Sequence, residues 1–315
     1  MFKLGSAPLQ SADPIDHADY LELECLRQSD RNASGGDLAA IFSRLSDDLP
    51  EERPDSDIDS ENAILEAFSE LSDRIVHSGK TKHRYPYRLN RCADLLKFDG
   101  RVAMSDLYLF LLTATRLNMS DDRVHAGIDG AELFEQVCCE VAKNYWGARS
   151  EGMVFGTARR VDGRDVAGFE TAVDHMCNQV GEGDCFNSNY GDLITAQDGK
   201  LDVVVWKPFS DQRRGQLIGF GQCKTGTHWS SGLFTLQPDG FCKKWVRAMP
   251  VVDPIRLYFI TARVKQSKWN ETCVDAGIMF DRCRIVNYAP PMPALRIRWV
   301  DWTKAALLSH GITMP

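Results

Sequence analysis

An α/β fold is predicted, with helices packed on a mixed sheet and a mainly α-helical N-terminal domain preceding them. Three features carry this prediction. Before residue 120, apolar residues recur at three- and four-residue intervals, the period of an amphipathic helix. Beyond it, the patterns run helix, strands, helix, strand. Within that second part, LDVVVWKPFSDQRRGQLIGFGQCK at 201–224 holds two apolar runs, 201–206 and 217–220. They flank a polar turn with Pro208, Asp211 and Gly215, the pattern of a hairpin.

Taken in order, 12–29 reads as a helix with Tyr20, Leu21, Leu23 and Leu26 on its apolar side and acids between them. A second helix starts at Ser34 or Gly36 and carries Leu38, Ile41, Phe42 and Leu45. The stretch 47–60, DDLPEERPDSDIDS, is acidic and poor in apolar residues, so an exposed loop or linker is expected. Ser60 then caps a helix over 61–76. Residues 77–91 interleave Lys80, Lys82, His83, Arg84, Arg88 and Arg91 with Tyr85 and Tyr87. Such a stretch can line a nucleic-acid groove, or serve as a solvated connector neutralising nearby acids. A buried helix follows Met104, and the polar stretch 118–125 marks a boundary between domains at 1–120 and 121–315.

In the second domain, helices are expected over 130–145, 169–180, 241–246 and 269–276. Strands are expected at 153–158, in the hairpin, and at 255–261, 278–280, 284–286 and 295–299.

With 315 residues, 43% hydrophobic and 26% charged, the chain has the make-up of a globular protein of two domains. The first residues lack the apolar core of a signal peptide, and the longest apolar run, 107–113, is too short to cross a bilayer. Ten cysteines are scattered without any C-x-x-C, which argues against structural zinc and for free thiols in a cytoplasmic protein. Net charge is −7, unevenly spread. Residues 1–60 hold five Lys/Arg against fourteen Asp/Glu, while 200–304 hold seventeen against eight. That asymmetry can mark a nucleic-acid-binding domain joined to an acidic one.

The polar residues of the hairpin carry the chemistry. Asp202 opens one arm, and Gln222 and Lys224 close the other, so pairing brings the three to one end of the sheet. Gln222 and Lys224 share a strand face, with Cys223 on the opposite one. An acid, an amide and an ammonium in a largely apolar sheet point to a site that cleaves phosphodiesters with a bound cation. Asp202 can offer a carboxylate, Gln222 an amide oxygen and Cys223 its main-chain carbonyl to Mg²⁺, with Mn²⁺ as a substitute. Lys224 can position or deprotonate water, or neutralise charge in the transition state. Taken alone, Asp202 is equally explained as a cap or an ion-pair partner.

The segments DGAELFEQVCCEVAKNY, QDGKLDVVVW and GFGQCKTG resemble the PD-(D/E)XK, restriction-endonuclease-like nucleases, over roughly 127–260. The resemblance implies a core of a helix, a mixed central sheet and flanking helices. Gln222 stands where that family usually has a second acid, as in a Q-x-K subset similar to the Mrr-type enzymes. In such proteins an acid on the first helix approaches the metal or the lysine, which implies Glu135 as a further catalytic residue and metal ligand. Glu132 lies at the helix start, where the dipole alone explains it. Asp198 is the reserve acid, although a turn role explains it as well.

Lys243, Lys244 and Arg247, with Arg213 and Arg214 on the hairpin turn, can grip phosphates, or each can be a solvated surface cation. Thr225, His228 and Trp229 follow the lysine; Trp229 is at least as well explained by packing. HSGKT at 77–81 lacks the earlier glycine of a phosphate-binding loop, because Arg74 occupies that position. KTG at 224–226 has no S-x-x-K partner, and no H-E-x-x-H occurs.

The expectation is therefore a Mg²⁺-dependent DNA endonuclease. The family implies a role in bacterial restriction or anti-phage defence. The acidic N-terminal domain is read as a docking module for a partner such as an ATPase, helicase or sensor, and a homodimer would let one site cut both strands. An RNase on the same scaffold and a catalytically silent nucleic-acid-binding or scaffold protein are the alternatives.

Overall fold

A computed structural model describes residues 2–47, 56–78, 84–156, 160–161, 164–165, 168–189 and 200–314. The chain forms two compact units. The first comprises Met1–Ile128, Arg282–Asn287 and Arg296–Pro315, and the second Asp129–Asp281 and Tyr288–Leu295. The C-terminal residues from Arg296 onward thus belong with the N-terminal part of the chain, which the sequence division at 120 does not foresee. Among the described residues there are ten α-helices, and no helix is long and apolar enough to cross a membrane. Lys80, Lys82, His83, Asp198 and most of the acidic stretch, 48–55, lie outside the described residues.

In the first unit, α1 (Pro14–Arg27), β1 (Asn32–Ser34), α2 (Gly35–Asp47) and α3 (Ser56–His77) come first. They are followed by β2 (Tyr87–Leu89), β3 (Leu95–Phe98) and α4 (Ser105–Arg116). Asp13 starts α1 by accepting the Ile15 N–H at 3.0 Å, with Pro14 in the first turn. The strands form an antiparallel sheet in the order β1-β3-β2, an addition to the helical reading.

The acids of α1 do not form a solvated face. Asp19 and Glu22 are fully buried, as are Arg74 from α3, Arg116 from α4 and Arg282 near the C-terminus. Arg74 Nη1 lies 2.7 Å from both Asp19 Oδ1 and Glu22 Oε1. Arg116 reaches Asp19 at 2.6 Å and Asp16 at 2.5 Å, and Arg282 reaches Asp19 at 2.8 Å. Tyr85 and Tyr108 donate to Glu22 Oε1 at 2.6 and 2.8 Å, and Tyr87 donates to the Glu22 carbonyl at 2.9 Å. The two tyrosines of the basic stretch therefore serve a buried polar network.

A short hairpin, β4 (Val124–His125) with β5 (Ile128–Asp129), leads to α5 (Gly130–Trp146), β6 (Glu151–Val154), β7 (Arg160–Val161) and β8 (Arg164–Asp165). Then follow α6 (Phe169–Val180), β9 (Val203–Lys207), β10 (Leu217–Lys224), α7 (Pro238–Trp245), β11 (Ile255–Ile260), α8 (Trp269–Ala276) and β12 (Ile278–Phe280). The last elements are α9 (Arg282–Tyr288) and α10 (Pro293–Leu308).

The sheet of the second unit is mixed, in the order β12-β11-β10-β9-β6. β9 pairs antiparallel with both β10 and β6, while β10, β11 and β12 run parallel. The parallel pairs need crossover connections, and α7 and α8 lie in them. On one sheet face Val204, Trp206, Ile218 and Phe220 pack with Phe169 and Val173 of α6 and Phe241 and Trp245 of α7. The other face receives α5. A Cβ at Gly219 would meet the Trp146 ring at 2.8 Å and Leu257 at 3.1 Å, so the helix approaches where the strand has no side chain. We expect Gly219→Ala to cost about 1–3 kcal/mol through overpacking; urea denaturation checks this, and an unchanged midpoint would contradict it.

Two expected strands are helices. Arg284–Val286 lies in α9, and 295–299 in α10. LRIRW imitates a two-residue alternation, but Trp299, Trp302, Thr303, Ala306 and Leu307 are the buried residues and follow the helical period.

Candidate active site

Asp202 sits where β9 stops pairing. The ladder with β10 ends at Val203 and Gly221, and from there Asp202 replaces it with contacts of its own. Its N–H donates to the Gly221 carbonyl at 2.9 Å, and its Oδ2 accepts the Cys223 N–H at 2.7 Å. Its carbonyl accepts the N–H groups of Phe155 and Gly156 at 2.7 and 3.0 Å. Backbone contacts on both neighbouring segments thus hold the residue.

Glu135 arrives from α5. Asp129 caps that helix by accepting the Ala131 and Glu132 N–H groups at 2.9 and 3.3 Å, leaving Glu132 in the first turn. Glu135, further along, is only 6% exposed. Its carboxylate meets that of Asp202 over Gly156. A Cβ on Gly156 would stand 2.9 Å from Glu135 Oε2 and 3.0 Å from Asp202 Oδ1. The two oxygens are thus no farther apart than the sum of those distances. Two carboxylates in one small space repel, and a cation between them or a proton on one relieves that.

Gln222 and Lys224 leave β10 on the face opposite α5, whereas Cys223 points toward the helix, with its thiol against that of Cys138. Burial pushes the pKa of both thiols up, which suits packing rather than reactivity. Gln222 is fully buried. Its Nε2 donates to Thr235 Oγ1 at 2.8 Å, and the Thr235 hydroxyl has two acceptors in reach, Gln222 Oε1 at 2.9 Å and the Gly232 carbonyl at 2.8 Å. That hydroxyl has one proton; giving it to Gly232 leaves the amide oxygen of Gln222 able to face a cation. The Lys224 side chain runs over Gly232, where a Cβ would lie 2.8 Å from its Cε and 2.6 Å from the Tyr258 hydroxyl. Tyr258 donates to the Trp229 carbonyl at 2.7 Å, and burial holds its pKa well above the usual phenol range. Asp202 turns one oxygen toward Glu135 and the other to the Cys223 N–H, whereas Gln222 and Lys224 lie on the face away from α5.

No family model, curated protein or solved structure matches the chain.

The chemistry of the site rests on its own geometry. No group of three or more His, Cys, Asp and Glu side chains able to hold a metal ion occurs among the described residues. The two carboxylates come together over Gly156, where even a methyl group would be crowded.

The surface cations are spread out. Lys243 pairs with Asp239 at 2.7 Å, Arg213 with Asp211 at 3.7 Å and Arg214 with Asp184 at 3.5 Å. Lys244 lies over the Trp245 ring at 4.4 Å. The Arg247 side chain is exposed and has no hydrogen-bond or ion-pair partner among the described residues. Exposed pairs of this kind contribute little to stability, so phosphates can displace them.

Gly156, Thr235, Tyr258 and Cys138 complete the surroundings and escape a reading of the sequence. For Tyr258 the signal is a polar tip inside the apolar run LYFI; Thr235 offers none.

Proposed function

We propose that the second unit has a restriction-endonuclease-like core and is a Mg²⁺-dependent nuclease that hydrolyses DNA. The observation supporting it most directly is the convergence of Glu135 and Asp202 over Gly156, beside the strand end that carries Gln222 and Lys224. Asp202, Glu135, Gln222 Oε1 and the Cys223 carbonyl are the groups that would hold the cation. When bound, Mg²⁺ supplies positive charge to the scissile phosphate and acidifies a coordinated water. The chain contributes orientation through the backbone contacts of Asp202, and the Lys224 ammonium neutralises charge as the P–O bond breaks. By the same reading, the first unit docks a protein partner, and the enzyme acts in bacterial restriction or anti-phage defence, with a homodimer serving double-strand cleavage.

The test is nicking of supercoiled plasmid with Mg²⁺ by the intact chain and by Lys224→Ala. Cleavage by the first and its loss in the second is the expected result; equal nicking by both contradicts the assignment.

One observation favours a second reading, a catalytically silent binding or scaffold protein: both amide atoms of Gln222 lie within hydrogen-bond reach of Thr235. Calorimetry with Mg²⁺ and Mn²⁺ at millimolar concentration separates the two, because only the nuclease requires saturable binding.

A further inference from the structure

The first unit carries an open surface pocket of about 450 Å³ whose lining is strongly cationic. Arg31, Arg88, Lys97 and Arg101 stand around it, against the single carboxylate of Asp99. Strand register builds the arrangement. Lys97, in the middle strand of the small sheet, is directly opposite Arg88 on one side and Asn32 on the other, so the three side chains share a face. Like charges directly opposite one another weaken a sheet, so an Arg–Lys pair there carries a cost that an anion would relieve.

Asp99 gathers two of the cations: one oxygen accepts from Arg101 Nε at 3.0 Å, and the other lies 3.2 Å from Arg101 Nη2 and 3.1 Å from Arg88 Nη2. Arg31 has a left-handed backbone (φ 60°), and its guanidinium donates to the carbonyls of Leu26 and Thr313. Lys97 has no hydrogen-bond or ion-pair partner among the described residues. Phe98 and Gly100 line the pocket beside these charges. All this stands in a unit whose first sixty residues are strongly acidic, so a concentration of positive charge is not an effect of average composition.

We propose that this pocket is a phosphate-binding site on the first unit, separate from the candidate active site, taking the phosphoryl groups of a nucleotide or of a nucleic-acid strand. Arginine forks match phosphate oxygens two at a time, and Lys97 adds a point charge. The volume falls in the range of small-ligand pockets.

Isothermal titration calorimetry on the full chain tests this, in low salt with EDTA so that no divalent cation contributes. The probes are inorganic pyrophosphate, a nucleoside triphosphate and a short single-stranded oligonucleotide. Saturable binding of at least one probe is expected, weakened about tenfold in Arg88→Gln/Lys97→Gln and weakened as salt rises. Arg101→Ser, at a side chain 90% exposed, gives the same direction of change without endangering the fold. A triphosphate that binds while the oligonucleotide does not identifies a nucleotide site; an oligonucleotide that binds far more tightly than pyrophosphate identifies a strand. Three outcomes overturn the proposal. They are no binding by any probe, full affinity in both variants with native melting, or an equal loss in Arg213→Gln/Arg214→Gln on the second unit.

Discussion

Arg282→Met is expected to destabilise the first unit by about 3–5 kcal/mol, the usual cost of removing one member of a buried ion cluster. Arg282 donates to both oxygens of Asp19, at 2.8 and 3.0 Å, and to Thr115 Oγ1 at 3.2 Å. Met fills much of the same volume but leaves Asp19 with only Arg74 and Arg116, deep in a site without water access. Removing both partners should hurt less than the sum of the single changes, so Asp19→Asn/Arg282→Met is the matching double variant. Urea denaturation measures the loss. A loss below about 1 kcal/mol would show that the cluster is not the structural centre of the unit.

The same network sets a pH window. Burial alone would raise the Asp19 pKa, but Arg116, Arg282 and Arg74 outweigh it and hold the carboxyl well below the usual range. Its contribution is therefore complete above the ordinary carboxylate range and is lost as pH falls through it. Burial, helped by the Glu22 charge, pushes Tyr85, Tyr87 and Tyr108 well above the usual phenol value. Their contribution is complete below pH 10 and falls as pH rises beyond it. Between these limits the contribution of the network itself should be constant.

That network also shows where a sequence stops being readable. Asp16, Asp19 and Glu22 recur every three residues on α1, which looks like the polar side of an amphipathic helix. Only the arrival of three arginines from distant parts of the chain turns that side inward, and no local pattern announces partners so far apart. The hairpin is different. β-branched residues, a turn of Pro, Asp and Gly, and the two-residue period define β9 and β10 and bring Asp202 opposite the end of β10. Glu135 is singled out through the resemblance of its helix to the family, Glu132 being explained by the start of α5. The commitment of Gln222 to Thr235 is not legible, since Thr235 lies in an irregular segment whose path depends on packing. In α10, five residues of accidental alternation mislead until the whole stripe from Trp299 to Leu307 is weighed.

Gly156→Ala is the sharpest probe of the candidate site, because it changes neither charge nor any proposed ligand. The Gly156 backbone is not in the left-handed region, so alanine meets no conformational penalty there. Its N–H and that of Phe155 are tied to the Asp202 carbonyl, so the new methyl group cannot swing away. It would stand 2.9 Å from Glu135 Oε2 and 3.0 Å from Asp202 Oδ1, closer than real Cβ contacts allow. What yields is the tips of the two carboxylates, since side-chain ends move more easily than backbone. Stability should therefore change by only about 1 kcal/mol, while the displaced carboxylates would no longer hold the cation that the nuclease reading places on them. If the nuclease reading holds, cleavage falls about 10²-fold, the scale expected when reacting groups shift by roughly 1 Å. Mg²⁺ affinity measured by calorimetry should fall with it, and the melting curve should stay close to that of the unaltered chain. Undiminished Mg²⁺ binding and cleavage in Gly156→Ala would mean that the cation, if one binds, is held somewhere other than between Glu135 and Asp202.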